Sequence, residues 1–498
     1  MKNKAKLLCL ALCLVMLLPL AVACGNDSTV TNAPSGNVAT ETNANGEVIP
    51  PVPTTKYDGE DFVIYMTSRN NDPVLVRDFE MSEDEAKLNV LNESLYKRNK
   101  QLQDEFGIVI VPEVNYASNS NTTGNEAVMR ANQSGTHTYD MCILGTLSAS
   151  TLASGGELKD LNAYGEIDLT KSWWDQNINY DLAVDGKVFF TTGDISLVAT
   201  QSMYGLMFNK DMFDEYDLEY PYQMVNEGKW TFDEMKRLSI LVSDDLDAND
   251  KMDAYDKYGF GWINSTCVAF LNASGERVAD VNAQGQITLT IAGNERAANA
   301  IISYIEFTSD QMHAFNGQKG TSGLEDKTAI GMFADGQLLF RAGEHLCFPH
   351  LRDTELNYGI IPLPKFDETQ ESYYTPVGSW DAAYVCIPIS TEDETRTSTI
   401  IERAAYISSQ IVTPAYYQRT LEGKYVRDED SAEMITLEIK NRMYDIGLMY
   451  DFGGLSSGIT NLSTAYRTQF ASMLREVQSA AEKQIKDTNE KFDQHTND

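Results

Sequence analysis

The chain has 498 residues, with 39 Lys and Arg against 73 Asp and Glu and a formal net charge of −34. At roughly 150 residues per domain this length suggests two or three folding units, and 42% apolar residues are enough to build real cores. So large a negative excess excludes a polyanionic partner, because gripping phosphate backbones takes clustered Lys and Arg. Nucleic acid is ruled out on this ground.

Residues 1–23 read as an export signal. Lys2, Lys4 and Lys6 give a positive start, Leu7 to Val22 form an apolar run too short for a comfortable membrane span, and small residues close it. The string Ala21-Val22-Ala23-Cys24 resembles a bacterial lipobox, whose Cys is lipidated and becomes the new N-terminus; Ala21 stands where Leu is more usual. A diacylated (palmitate-type) Cys24 would carry two chains, enough to hold a folded domain at the outer face of a cell membrane through the lipid alone. Residues 24–55 are then a polar tether, poor in aromatics, with a reach of about 30 Å.

From Tyr57 onward the chain alternates strand-like and helix-like segments. Residues 62–66 form an apolar strand. The periodicity predicts a helix over about 89–105, with Leu91, Leu95, Leu102 and Phe106 on one stripe and Gly107 as its C-cap. Strands follow at 108–111 and 140–144, with a helix over 125–134 between them. A second unit starts near 195, with a strand over 203–208 running into a helix at Asn209. At Trp230-Thr231-Phe232-Asp233-Glu234-Met235, Thr231 is the expected helix cap, Glu234 the returning partner, and Trp230 a staple onto Met235. The Lys/Glu/Gln-rich end from about Gln478 is expected to fray. Such strand–helix–strand alternation implies α/β units with mixed sheets flanked by helices.

Several strings in this order resemble one family: Leu91-Asn92-Glu93-Ser94-Leu95-Tyr96-Lys97-Arg98-Asn99, Tyr139-Asp140, Trp173-Trp174-Asp175-Gln176, Asp185-Gly186-Lys187-Val188-Phe189-Phe190, Thr192-Gly193-Asp194, Phe208-Asn209-Lys210-Asp211, Gly228-Lys229-Trp230-Thr231 and Gly378-Ser379-Trp380-Asp381. Together they are similar to the extracellular solute-binding proteins of family 1, the lipid-anchored receptors of ABC importers in Gram-positive bacteria. The resemblance implies a two-lobed periplasmic-binding-protein-like fold (type II). It would comprise a first lobe at 57–190, a second at 195–378, a return at 379–412, and second-lobe helices with a polar tail at 413–498. It further implies a monomer that closes on a small solute, most often an oligosaccharide, and delivers it to permease subunits.

The aromatic content fits a sugar, since 25 Tyr and 5 Trp offer rings for stacking on sugar faces while carboxylates and amides meet hydroxyls. The candidate ligand residues are Trp173, Trp174 and Asp175, Gln201 and Ser202, Arg341, and Trp380 and Asp381. A peptide receptor or a surface adhesin on the same fold is the alternative binding class. An anionic solute is expected only if the cleft around Arg341 is poor in acids.

Residues 245–256 are similar to a calcium loop. Asp245, Asp247, Asn249, Asp253 and Asp256 supply oxygen side chains, Lys251 its backbone carbonyl, and Asp250 replaces the usual Gly of a left-handed position. A structural Ca²⁺ is thus the one cofactor expected. No enzyme is expected. Gly454-Leu455-Ser456-Ser457-Gly458 matches GxSxG but lacks a preceding buried strand and has only His495 downstream. A glycoside-acting enzyme, which needs only two well-placed carboxylates, is the enzyme alternative. Cys142, Cys267, Cys347 and Cys386 lack metal spacing and are expected as buried free thiols, with three disulfide pairings as the alternative.

Overall fold

The computed structural model describes residues 41–69, 78–117, 122–246, 248–318, 328–351, 354–418 and 428–494. The export signal and Cys24 therefore lie outside the described residues, as do Asp247 and His495. Residues 41–49 make a small turn of their own, in which Thr42 faces Val48 and the Asn43 carboxamide oxygen accepts the amides of Asn45 and Glu47.

In chain order the next elements are β1 (Glu60–Arg69), α1 (Val90–Phe106), β2 (Ile108–Ala117), α2 (Asn125–Ser134), β3 (Met141–Gly145), α3 (Thr146–Gly155) and α4 (Gln176–Asp181). Gly107 ends α1 at φ +67°, a left-handed conformation that only glycine adopts without strain. β2 runs longer than its apolar core suggests, through Pro112. It lies at a sheet edge, where a missing N–H costs nothing.

β4 (Tyr204–Asn209), α5 (Phe232–Val242), β5 (Tyr258–Trp262), β6 (Ala279–Val281), β7 (Ile287–Leu289), α6 (Glu295–Ser309), β8 (Ala314–Asn316), β9 (Leu338–Glu344) and β10 (Tyr358–Ile361) follow. Thr231 caps α5 as expected, accepting the Glu234 amide at 3.4 Å. Glu234 does not return the bond; its carboxylate holds Arg237 at 2.6 and 2.8 Å instead. The last elements are β11 (Thr375–Pro376), β12 (Ala383–Cys386), α7 (Glu394–Ile407), β13 (Arg442–Met443), α8 (Leu455–Thr464) and α9 (Phe470–Gln494).

The strands assemble into two principal sheets. The first has the order β12-β3-β1-β2, with β1, β2 and β3 parallel and β12 antiparallel at the edge. Strand alternation divides its side chains: Cys142, Leu144, Tyr384 and Cys386 enter one core, while Met141, Ile143, Ala383 and Val385 enter the other. The second sheet has the order β10-β4-β9-β5-β8, in which β4 alone runs against its neighbours.

Among the described residues, two segments that cross between the sheets pair with each other. Thr191 and Val385 exchange backbone hydrogen bonds of 3.0 and 2.8 Å, Met203 faces Val377, and the Gly378 amide donates to the Ser202 carbonyl at 2.8 Å. β13 lies parallel to β11, at the foot of the second crossing.

The C-terminal end does not fray. α9 continues to Gln494, and its last turn is pinned by Phe492, which is buried and stacks on Phe189 at 4.8 Å. Asn489 adds a reciprocal pair of bonds with Ile287, and Lys187 donates to the Phe492 carbonyl. A polar stretch with one apolar anchor per two turns looks like a loose tail in sequence but binds firmly where the anchors meet a groove. Phe492→Ala is expected to lower unfolding free energy by about 3 kcal/mol through the cavity it leaves. Urea unfolding of the two proteins checks this, and an equal midpoint would show that the last turn is not anchored.

Candidate functional site

In open α/β sheets the strand carboxyl ends leave a crevice where solutes bind. In the first sheet these ends are Thr67–Arg69, Asn115–Ala117 and Gly145, and Ala383 at the start of β12 lies opposite Gly145. In the second they are Trp262, Asn316, Glu344 and Ile361, with Tyr204 at the start of β4 opposite Glu344. The segment Gly378-Ser379-Trp380-Asp381 joins the two rims. At its first end a Cβ on Gly378 would stand 3.0 Å from the Tyr204 ring and 3.5 Å from Glu344 Oε1. Five residues later the chain enters β12.

The second-sheet rim is polar and enclosed. Tyr204 and Ser265 share a 2.6 Å hydroxyl bond, and burial with Glu344 alongside pushes the Tyr204 phenol well above its ordinary pKa. Arg341, only 3% exposed, donates from Nη2 to the Cys347 sulfur at 3.1 Å. Its Nε and Nη1 have no hydrogen-bond partner among the described residues, nor do Asn264 Oδ1 and Trp262 Nε1. Buried polar atoms are normally bonded, so the two open donors of Arg341 on β9 and the open Asn264 oxygen just beyond β5 leave polar capacity unmet here, while the Trp262 indole lies on the other face of β5, in the core. The guanidinium lies over Gly343, where a Cβ would stand 2.1 Å from Arg341 Nη1, so it keeps this place only because residue 343 has no side chain. The first-sheet rim is built from small hydroxyl residues: Thr67 Oγ1 accepts the Gly145 amide, and Ser148 Oγ accepts that of Gly124.

The predicted ligand residues divide between this place and another. Trp380 is 42% exposed on the crossing segment, with Asp381 next in the chain; Asp381 and Arg341 both bear on Cys347. The Ser202 hydroxyl is turned back to the Val198 carbonyl at 2.9 Å, and Gln201 is buried. Trp173 and Trp174 are 1% and 2% exposed inside the first-sheet core, not on a rim. Their indole N–H groups both donate to the Glu402 carboxylate of α7, at 3.0 and 2.8 Å. Asp175 caps α4 and pairs with Arg442 at 3.1 Å while accepting from the Tyr444 hydroxyl at 2.7 Å. These three residues are therefore structural in this conformation.

Tyr204, Glu344 and Asn264 were not foreseen as site residues. The one local signal for Glu344 was its place as a polar residue closing the apolar run of β9.

In the acidic loop, Asp250 takes the left-handed φ of +61° expected at its position, and Asp245 accepts the amides of Asn249 and Asp250. Asp256 bonds the amides of Leu246 and Asp253, Asp253 bonds that of Tyr255, and Lys251 is exposed. Among the described residues no three His, Cys, Asp or Glu side chains converge as a metal site. The GxSxG string is the entry to α8, where Ser457 bonds Asp451 and no strand precedes it. An open groove of about 590 Å³, lined by Val52, Lys56, Tyr96, Lys100 and Asp104, lies on the outer face of α1 and not at the rims.

No protein-family model matches the chain, and no curated protein matches it. Solved structures do. An ABC substrate-binding protein of Listeria monocytogenes in complex with cycloalternan is 14% identical with a TM-score of 0.52, covering 88% of this chain and 99% of its own. A cyclo/maltodextrin-binding protein complexed with maltotetraose is 13% identical with a TM-score of 0.54, covering 86% and 98%. A solute-binding protein from Agrobacterium radiobacter in complex with ribitol is 12% identical with a TM-score of 0.52, covering 86% and 100%. The fold is the periplasmic-binding-protein-like fold. At these identities the likeness concerns the fold, and the solutes belong to those proteins.

Three carboxyls, Glu402 of α7, Asp181 at the end of α4 and Asp194 of the first crossing, have pKa values raised chiefly by burial: Glu402 to about 7, and Asp181 and Asp194 to about 6. A raised carboxyl pKa means that the folded state holds a proton the unfolded state has released. The stability contributed by each of these three groups therefore falls as pH rises from about 4 to its raised pKa and levels off above, by up to about 1.4 kcal/mol per unit. Glu402→Gln is expected to flatten the upper part of that fall, between about pH 5 and 7. Urea midpoints across this range check it; parallel curves for the two proteins would show that Glu402 does not hold the proton.

Proposed function

We propose that this chain is an extracellular solute receptor of an ABC importer. It would be held at the membrane by lipid on Cys24 and bind an oligosaccharide or related polyol between the two rims. The observation that carries this reading is the crossing segment, where an exposed indole, Trp380, precedes Asp381, a carboxylate that bears on Cys347 together with Arg341, whose Nε and Nη1 are unpaired. A sugar needs this combination: a flat apolar surface for its C–H face and fixed polar groups for its hydroxyls. The acids next to Arg341 favour a neutral solute over an anionic one. Glu344 adjoins Tyr204, and both Glu344 and Asp381 bear on Cys347, which Arg341 contacts. Three similar structures, with cycloalternan, maltotetraose and ribitol, support the carbohydrate class. Their being binding proteins supports a receptor over an enzyme. Closure of the two sheets on the solute would present the loaded form to permease subunits.

Thermal shift of the chain lacking residues 1–24, against maltooligosaccharides, ribitol, amino acids and short peptides, tests the reading. Saturating ligand at a hundredfold its Kd should stabilise by roughly 2.7 kcal/mol. Trp380→Ala should weaken sugar binding about tenfold or more, close to 1.4 kcal/mol, and Arg341→Met by more than that. Shifts with peptides alone, or turnover of a chromogenic glycoside, would replace this proposal by the peptide-receptor or enzyme reading.

A further inference from the structure

Four cysteines lie within the described residues, all free and buried. Two of them are brought together by the fold from segments 244 residues apart: Cys142 of β3 and Cys386 of β12 are direct partners in the antiparallel register. Both side chains enter the same core, beside Leu144 and Tyr384. Val385 gives both its backbone bonds to Thr191 on the outer side of β12, so by alternation Cys386 is a residue that bonds to β3. Hydrogen-bonded antiparallel partners have Cα atoms about 5.5 Å apart, inside the ~4.4–6.8 Å span that a disulfide bridges. Each thiol also bears on the other, and burial with this neighbour raises the Cys142 pKa. The remaining two have other surroundings, since Cys347 accepts from Arg341 and Cys267 adjoins Ser463.

We propose that Cys142 and Cys386 are a dithiol–disulfide couple, closed by thiol–disulfide exchange with the protein disulfide of an extracytoplasmic oxidoreductase. The two thiols lose two protons, one S–S bond forms between them, and the oxidoreductase disulfide takes up the two electrons and two protons to become two thiols. Access comes through β12, an edge strand, either before it docks or when it opens. The same exchange run backwards with a dithiol reductant opens the bridge again. Its consequence lies at the candidate site: β12 begins two residues after Asp381, so the bridge would fix the return crossing, with Trp380 on it, to the first sheet. The compartment it needs is the one in the proposed function, but its readout is independent of any solute.

The test equilibrates the full chain in glutathione buffers from fully reducing to fully oxidising, followed by acid quench, alkylation, digestion and mass spectrometry. The expected result is a linked peptide joining Cys142 to Cys386 at the oxidising end, with Cys267 and Cys347 alkylated in the same sample. The melting temperature should rise on oxidation, return with dithiothreitol, and stay constant in Cys386→Ser. If that variant does not fold, the reversal by dithiothreitol in the unaltered chain carries the same comparison. The proposal is overturned if both cysteines are alkylated throughout, if each carries a single glutathione, or if the linkage joins another pair. A chain that binds sugar yet never crosslinks would sink only this inference, and one that crosslinks but binds no solute would sink only the receptor reading.

Discussion

The site rests on one pairing, that of two chain crossings lying antiparallel between the sheets. The segment through 191–203 and the segment through 377–385 bond to each other at Thr191–Val385 and at Ser202–Gly378. A single crossing would leave the two rims free to turn about a flexible linker. Two paired crossings limit their motion to bending at few residues, which is what hinge closure on a solute requires. Trp380 and Asp381 take their position from this pairing, since the backbone is held at Gly378 on one side and Ala383 on the other.

Beneath the crossings lies a buried ionic knot that holds a third segment in place. Arg442 of β13 pairs with Asp175 and donates to Thr200 at 3.3 Å, and Tyr444 completes the set. A buried ion pair contributes little net stability after desolvation, but removing one partner strands the other and costs several kcal/mol. Its physical role is therefore to fix which segments meet. Glu402 acts in the same way in the first sheet, where two indole donors hold a carboxyl that burial drives toward the neutral form.

What was legible in the sequence was local. α1 with Gly107, α2 and β3 were visible because periodicity and caps are set within a few residues. Trp380 and Arg341 were proposed as ligand residues on local signals too, an aromatic–acid pair after glycine and a cation ending an apolar run. Trp173 and Trp174 carry the same local signal as Trp380 and sit in a core instead. Their partner Glu402 comes more than 220 residues later, and only the fold shows that two indole N–H groups are already engaged. That the last turns of the terminal helix are anchored was hidden for a similar reason, as Phe492 finds Phe189 some 300 residues upstream.

The unpaired donors of Arg341 oppose the folding argument and favour the functional one. Among the described residues the enclosed guanidinium bonds only the Cys347 thiol, which leaves hydrogen-bonding capacity unmet that the proposed solute would fill. A neutral polyol can meet such donors and, through its own hydroxyls, donate back to Glu344 and Asp381. An anion would satisfy Arg341 alone and face both carboxylates, within a chain whose formal charge is −34. In the proposed reading the electrostatics thus point the same way as the exposed Trp380 indole, toward a hydroxyl-rich solute without charge.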